Sequence, residues 1–336
     1  MPKATTVHVF SCIPALSQLV QQQLPHVNVI TVNSPDVVRK YGNVVTEKDL
    51  TALQHAEILL VDNNLLAQML HKLPRLQWAQ GTWAGVEGIM KECIDKAPPQ
   101  YPVTRLAVQS FSQLMTEYTV GWIITHERNW MQCRQNQLSS EWIQKGQIAY
   151  YRSISDLTIG VMGMGIIGKE VARGLKYFRG TVHAFTRNPP TPDNTSQHVD
   201  KYRHTGELKE FLQECDYIVN IMPSTPHTKD MLSNDILSNA KKDAVLINIG
   251  RGDVIGEGDL IKALDYNWLS AAILDVFNTE PLPSNSKLWL HPKVWITPHT
   301  AGVSRKQDVC QAFVDNFNRF TNSEPLLNVI NWQHGY

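Results

Sequence analysis

The segment Leu157 to Phe178, LTIGVMGMGIIGKEVARGLKYF, constrains the fold of this chain more than any other. An apolar run typical of a buried strand meets the pattern G-x-G-x-x-G, and a helix-like pattern follows at once. Gly163 permits a tight turn, Gly165 lets a ligand approach the backbone, and Gly168 lets the helix pack closely on the strand. The order strand, glycines, helix, strand predicts a βαβ unit whose helix N-terminus binds the phosphates of a dinucleotide.

Strand and helix patterns alternate along the rest of the chain as well. In the first hundred residues the candidate strands are TTVHVF, VNVITV and AEILLVD. From Leu157 onward there are six, namely LTIGVM, TVHAF, YIVNIM, AVLINIG, SAAILDVF and VWITP. Such alternation predicts an α/β fold with parallel sheets covered by helices, and six successive strands suit a doubly wound sheet. Between the two sets, the proline-rich stretch APPQYP is interpreted as a hinge, followed by a long helix.

Length and composition narrow the class of protein. The 336 residues suit two domains, and 31 basic against 31 acidic side chains disfavour a nucleic-acid or anionic-membrane partner. The five cysteines are far apart and form no C-x-x-C pair, so we expect a reducing compartment, no disulfide framework and no metal site. No apolar stretch reaches membrane-spanning length, and the N-terminus lacks a targeting pattern. We therefore expect a soluble cytoplasmic protein.

The residues after TVHAF bear on which dinucleotide is bound. NAD-binding domains favour a carboxylate there, which accepts hydrogen bonds from the ribose hydroxyls. This chain has Thr186 and Arg187 instead, and a guanidinium can pair with a 2′-phosphate. The pattern favours NADP over NAD, although NAD stays possible. The alternative is that Arg187 is a solvated loop residue that stacks on adenine.

Four polar residues follow successive predicted strands in the C-terminal half. Arg251 lies in NIGRGDV, Asp275 and Glu280 in LDVFNTEPL, and His299 in ITPHTAG. Because parallel strands end at one edge of a sheet, these side chains are expected to converge there. A guanidinium can hold a substrate carboxylate and polarise a ketone, and an imidazole oriented by a carboxylate can transfer a proton. Singly, each residue could form a surface salt bridge or a helix cap; together they indicate an active site.

These blocks resemble those of the D-isomer-specific 2-hydroxyacid dehydrogenases along nearly the whole chain. LPRLQWAQGTWAGVEGI is similar to the family's substrate loop, and GMGIIG, MPSTPHTKDML, INIGRGDV, LDVFNTEPLP and ITPHTAG match its later blocks in order. The resemblance implies two Rossmann-like domains. A cofactor domain at 105–299, with a dimerisation arm, would be inserted into a substrate domain formed by 1–104 and 300–336.

The resemblance also implies roles for individual residues. Arg251 would bind the substrate carboxylate and carbonyl, His299 assisted by Glu280 would transfer the proton, and Asp275 would lie beside the nicotinamide. The cofactor-binding residues would be Gly163, Met164, Gly165, Ile166, Ile167, Gly168, Thr186, Arg187, Met222, Pro223, Thr228, Ile249, Gly250, Arg251 and Asp275. The substrate-binding residues would be Trp83, Ala84, Gly85, Val86, Arg251 and His299.

Within the family the chain is most similar to the glyoxylate/hydroxypyruvate reductase A-like branch. WAGVEG, the short spacing from Glu280 to His299 and the missing acidic residue after TVHAF support that placement. It implies reduction of small 2-oxo acids by NADPH. THERNWMQCRQNQLSSEWIQ resembles the arm through which relatives form homodimers, with Trp130 and Trp142 as apolar anchors; the alternative is an exposed helical hairpin.

Other functions stay open at this point. The fold also serves non-catalytic dinucleotide sensors, such as the C-terminal-binding-protein corepressors. An NAD-dependent D-2-hydroxyacid dehydrogenase of other substrate preference is a further alternative. A phosphoglycerate dehydrogenase is less favoured, because no regulatory extension follows Tyr336 and NADP would be unusual there.

Overall fold

The computed structural model describes residues 5–32, 43–192, 195–333 and 335. The chain forms two compact units. The first contains the residues up to Phe111 and those from Ser304 onward, and the second contains Ser112–Val303. The second unit is thus an insertion in the first. The functional bounds expected from sequence, 104/105 and 299/300, stay predictions.

The first unit contains a five-stranded parallel sheet. Its order is β2-β1-β3-β4-β5, so the direction of strand addition reverses between β1 and β3. In such sheets ligands bind outside the carboxyl ends of the strands at the reversal. The strands are β1 Thr6–Phe10, β2 Asn28–Thr31, β3 Ile58–Val61, β4 Trp78–Gly81 and β5 Val103–Thr104.

The C-terminal segment completes the core of this unit. Helix α10, Lys306–Thr321, packs beside α1, Leu16–Gln23. Phe313 and Phe320 of α10 stack on the buried Trp78 at ring-centroid distances of 5.2 and 5.4 Å. This aromatic burial explains why the chain returns to the first unit. The remaining helices are α2 Glu47–Leu53, α3 Asn63–Met69 and α4 Glu87–Lys91.

The second unit contains a seven-stranded parallel sheet. Its order is β12-β11-β10-β9-β6-β7-β8, and the direction of strand addition reverses between β9 and β6. The strands are β6 Thr158–Met162, β7 Thr181–Thr186, β8 Lys201–His204, β9 Tyr217–Asn220, β10 Val245–Asn248, β11 Ala271–Leu274 and β12 Val294–Ile296. The helices are α5 Gln109–Glu127, which begins at the end of the first unit, α6 Trp130–Leu138, α7 Ile166–Tyr177, α8 Leu208–Glu214 and α9 Glu257–Asp265.

These two sheets confirm the predicted fold class, but three strands had no counterpart in the sequence analysis. Strand β4 (WAQG) contains no β-branched residue, β5 (VT) has only two residues, and β8 (KYRH) is a polar edge strand. APPQYP lies in the first unit, directly before β5. All five cysteines are free thiols. Among the helices of the described residues, none is both long and apolar enough to cross a membrane.

Candidate active site

The glycine turn connects β6 to α7 with the geometry that its sequence predicts. Gly163 has a φ of +102°, a conformation that side chains disfavour. A Cβ added at Gly168 would lie 1.9 Å from the carbonyl oxygen of Gly163, so turn and helix touch there. At Gly165, the N-cap of the 12-residue helix α7, an added Cβ would meet nothing within 4 Å. This open space beside the helix N-terminus fits the phosphates of a dinucleotide.

The rest of the turn presents apolar side chains. Met164 and Ile167 are partly buried, whereas Ile166, in the first turn of α7, is 46% exposed. On the neighbouring strand, β7 ends at Thr186, whose hydroxyl donates to the carbonyl of Asn188 at 2.7 Å. Arg187 follows as an exposed residue whose carbonyl accepts a hydrogen bond from Thr205 at 2.9 Å.

The ends of β9 and β10 are joined by side-chain amides. Asn220 Nδ2 donates to Asn248 Oδ1 at 2.9 Å, and the Asn220 Oδ1 accepts from the backbone N–H of Met222. A Cβ at Gly250 would lie 2.8 Å from the Met222 carbonyl oxygen, so only glycine allows this approach. Ile249 is buried beside it.

The loop after Met222 is held together by hydrogen bonds between its own residues. The Thr228 hydroxyl donates to the carbonyl of Pro223 at 2.7 Å and accepts from the backbone N–H of Thr225 at 2.9 Å. The expected cofactor contacts Met222, Pro223 and Thr228 therefore lie on one stabilised loop at the edge of the sheet that carries the glycine turn.

Arg251 leaves the same edge, three residues after β10. Its backbone carbonyl accepts from Asn248 Nδ2 at 3.1 Å, and its guanidinium Nη1 donates to the carbonyl of Gly250 at 2.6 Å. Its positive charge contributes to lowering the pKa of Glu280, which places both side chains in one electrostatic environment.

His299 and Glu280 form a close pair. His299 Nδ1 lies 2.6 Å from Glu280 Oε2, and Glu280 Oε1 accepts from the backbone N–H of Phe277 at 3.0 Å. Partial burial raises the pKa of Glu280, but the hydrogen bond with His299, the charges of His299 and Arg251 and the Phe277 N–H outweigh burial. The net pKa lies below the ordinary value, so Glu280 is a carboxylate acceptor at neutral pH.

Asp275 organises the loop that carries His299. Asp275 is 1% exposed, and its carboxylate accepts from the backbone N–H groups of Thr300 and Ala301 at 2.8 and 2.9 Å. Its backbone carbonyl accepts from the His299 N–H at 2.9 Å. His299 has a φ of +54°, which costs roughly 1–2 kcal/mol for a non-glycine residue. These hydrogen bonds offset that cost at about 1 kcal/mol each.

The predicted substrate loop lies in the first unit, after β4. Asn63, the first residue of α3, donates from Nδ2 to the carbonyls of Gly85 (2.6 Å) and Trp83 (3.3 Å) and accepts the Trp83 N–H at 3.2 Å. Within the described residues, no group accepts the backbone N–H groups of Ala84, Gly85 and Val86. Three neighbouring N–H donors suit an anionic oxygen.

The structure thus brings Arg251, Asp275, Glu280, His299 and the glycine turn to one edge of the second sheet, and places the loop 83–86 at an edge of the first. Asn63 and Thr297 were not singled out from the sequence, although Asn63 directly follows the predicted strand AEILLVD and Thr297 lies within the predicted strand VWITP. In the described parts of the chain, no three His, Cys, Asp or Glu side chains form a group suited to a metal ion.

Comparison with known proteins identifies the family. The family model described as D-isomer specific 2-hydroxyacid dehydrogenase, NAD binding domain, matches residues 120–301. The chain belongs to the D-isomer specific 2-hydroxyacid dehydrogenase family. As a member of this family it is an NAD(P)-dependent oxidoreductase of small 2-hydroxy or 2-oxo acids. The glycine turn of the second unit has the geometry for its dinucleotide.

Solved structures of other family members are similar over nearly the whole chain. A family protein from Aeromonas salmonicida is 28% identical, with 98% of this chain and 100% of that chain covered and a TM-score of 0.84. One from Xanthobacter autotrophicus, in complex with NADPH and MES, is 25% identical, with 99% and 100% covered and a TM-score of 0.83.

A third structure is similar over a shorter range. The NADPH-dependent glyoxylate/hydroxypyruvate reductase of Sinorhizobium meliloti, in its apo form, is 27% identical over 64% of this chain and 83% of that chain, with a TM-score of 0.56.

Proposed function

We propose that this dehydrogenase reduces small 2-oxo acids, glyoxylate and hydroxypyruvate among them, with NADPH. The observation that carries the proposal is the 2.6 Å contact between His299 Nδ1 and Glu280 Oε2, on the sheet edge that also holds Arg251 and the glycine turn. An imidazole held by a carboxylate beside a guanidinium suits proton transfer to a ketone whose carboxylate is bound. The similarity to the Sinorhizobium meliloti reductase supports the choice of substrates.

We assign the proton transfer to Nε2 of His299, the ring nitrogen on the side opposite the one that faces Glu280. Because the Glu280 carboxylate accepts from Nδ1–H, the imidazolium of His299 directs its Nε2–H away from this pair. When bound, NADPH supplies a hydride to the carbonyl carbon of the substrate. His299 Nε2 gives its proton to the carbonyl oxygen, which yields the 2-hydroxy acid and a neutral imidazole. Glu280 holds the ring throughout and stabilises its charged form before the transfer.

Two groups of donors are proposed to hold the substrate. The guanidinium of Arg251 has the charge and the planar donors to bind a carboxylate and to polarise the neighbouring ketone. The N–H groups of Ala84, Gly85 and Val86 are proposed as a second set of donors to the carboxylate, because the described chain offers them no acceptor. Trp83 begins this loop, and its ring is proposed to face the substrate.

The preference for NADPH rests on the end of β7. No acidic residue follows Thr186, and the exposed Arg187 carries a positive charge where a 2′-phosphate would require one. The related Xanthobacter autotrophicus protein, crystallised with NADPH, supports this preference.

Initial rates of NADPH and NADH oxidation with glyoxylate, hydroxypyruvate and longer 2-oxo acids test the proposal. We expect the highest kcat/KM for NADPH with the two small acids. Arg187→Ala should raise the KM for NADPH about tenfold, the effect of losing one charge-assisted hydrogen bond, and leave the KM for NADH unchanged. Better rates with NADH would contradict the cofactor assignment. Tight NADPH binding without turnover of any 2-oxo acid would favour a dinucleotide sensor instead.

We also propose that the protein is a cytoplasmic homodimer. The segment predicted as the dimerisation arm carries exposed apolar side chains, with Trp130 at 53% and Trp142 at 95% exposure. Large exposed aromatic residues on one segment are typical of an interface. Sedimentation of the wild-type protein as a monomer at micromolar concentration would contradict the dimer.

A further inference from the structure

The loop that carries His299 donates three backbone hydrogen bonds to Asp275. The backbone N–H of His299 donates to the carbonyls of Asp275 and Thr297, and the next two N–H groups donate to the Asp275 carboxylate. The left-handed backbone of His299 therefore depends on where that carboxylate lies.

Two hydroxyl groups in turn hold the Asp275 carboxylate. The Thr297 hydroxyl donates to Asp275 Oδ1 at 2.5 Å, and it lies 2.6 Å from the hydroxyl of Tyr118 on α5. Burial raises the pKa of Tyr118, so this phenol keeps its proton. Because the Thr297 proton is directed to Asp275, the Tyr118 hydroxyl is the donor to Thr297 Oγ1. The hydrogen bonds thus run in one direction, from Tyr118 through Thr297 to Asp275.

We propose that Thr297 and Tyr118 are positioning residues for the proton transfer by His299, acting through the Asp275 carboxylate. This inference rests on the proposed function of His299. Glu280 orients the imidazole ring from its Nδ1 side, and the chain from Tyr118 to Asp275 fixes the backbone from which the ring projects. Without the Thr297 hydroxyl, Asp275 Oδ1 keeps one donor, the Thr300 N–H, and its carboxylate can rotate away from the loop.

The test compares Thr297→Val, which removes the hydroxyl at nearly constant volume, with Thr297→Ser, which keeps it. We expect Thr297→Val to lower kcat with a 2-oxo acid about 10- to 100-fold, the cost of a small misplacement of a catalytic group. Thr297→Ser should stay close to wild type. Because Asp275 is also an expected nicotinamide contact, the Kd for NADPH is measured in both variants, and we expect it to change less than kcat does.

Tyr118→Phe provides a second variant in case Thr297→Val fails to fold, because its ring can keep the packing against Trp122. A smaller loss of kcat in the same direction is expected. The double variant should be no worse than Thr297→Val alone, because Tyr118 acts through Thr297. Tyr177→Phe, which alters an 84% exposed tyrosine at the end of α7, is the matched control.

The pH profile separates positioning from stability. A loss of folded protein lowers kcat by one factor at every pH, whereas a loosened His299–Glu280 pair moves the pH at which the reduction rate falls to a lower value. Wild-type kcat and pH profile in folded Thr297→Val, or equal losses in the Val and Ser variants, would overturn the inference. If His299→Gln turns over like wild type, the proposed function itself fails; if only His299→Gln is impaired, the inference alone fails.

Discussion

The carboxylate of Glu280 determines which nitrogen of His299 can exchange a proton with substrate. It lies 2.6 Å from Nδ1, so Nε2 is the remaining nitrogen. The lowered pKa of Glu280 keeps this arrangement in place throughout the neutral range, because the carboxylate stays charged. Since its folded-state pKa is depressed, the stabilisation that the Glu280 carboxylate contributes is present above the unfolded value and is lost as pH falls through the folded value.

The first prediction concerns Glu280→Gln. An amide cannot stabilise the imidazolium, so kcat for reduction should fall by about 10², the lower end of the range for general acid catalysis. The pH above which the reduction rate declines should move to a lower value. Steady-state rates across the pH range measure both effects, and unfolding at the same pH values controls for stability. A variant with the wild-type rate and profile would show that Glu280 has no part in proton transfer.

The sequence predicts the candidate catalytic residues but not the hydrogen bonds that position them. Arg251, Glu280 and His299 could be predicted because each follows an apolar strand, and parallel strands end at one edge. The contact between Tyr118 and Thr297 joins residues 179 positions apart, and a single sequence contains no periodicity that would indicate it. The left-handed backbone of His299 was not predicted either, because histidine is enriched in that conformation but only a small share of histidines adopt it.

Among the structural elements, the turn between β6 and α7 contains two glycines that are needed for different reasons, one for folding and one for ligand binding. Gly168 is required for folding, since a Cβ there would meet the Gly163 carbonyl oxygen. At Gly165 the backbone is extended, with φ −73° and ψ −163°, and the space around it is open. The folded protein therefore tolerates a side chain at Gly165, whereas a bound phosphate would meet it.

The second prediction is that Gly165→Ala weakens dinucleotide binding without loss of stability. The Kd for NADPH should rise at least about tenfold, because the added methyl displaces phosphate from the turn. The melting temperature without cofactor should equal that of wild type. Gly121→Ala is the control, since an added Cβ in the middle of α5 also meets nothing within 4 Å. Unchanged NADPH affinity in Gly165→Ala would argue that the phosphates do not lie against this turn.

The third prediction concerns the loop after β4, which Asn63 holds through the carbonyls of Trp83 and Gly85. In Asn63→Asp an oxygen replaces the donor Nδ2, so both carbonyls lose their hydrogen bonds and the loop shifts. The KM for the 2-oxo acid should rise about tenfold, as expected for one or two lost hydrogen bonds, with little change in the Kd for NADPH. Asn28→Asp on β2, an exposed position, is the control. An unchanged KM would remove this loop from the proposed substrate site.

At the scale of the whole molecule, the two units share one type of sheet topology. Each unit is a parallel sheet whose strand order reverses once, and the candidate groups leave the carboxyl edges of both sheets. The alternation of strand and helix patterns was sufficient to predict this class. The edge strand β8, strand β4 and the two-residue strand β5 were not predicted, because their residues form no run of β-branched apolar side chains.

Steady-state reduction of glyoxylate by wild type and His299→Gln, with NADPH binding measured on both, tests the central claim most directly. Glutamine keeps the polarity and approximate size of the side chain but supplies no transferable proton. We expect kcat to fall by about 10²–10⁴ while the Kd for NADPH stays within experimental error of wild type. Comparable kcat values in the two proteins would contradict the assignment of His299 as the group that delivers the proton.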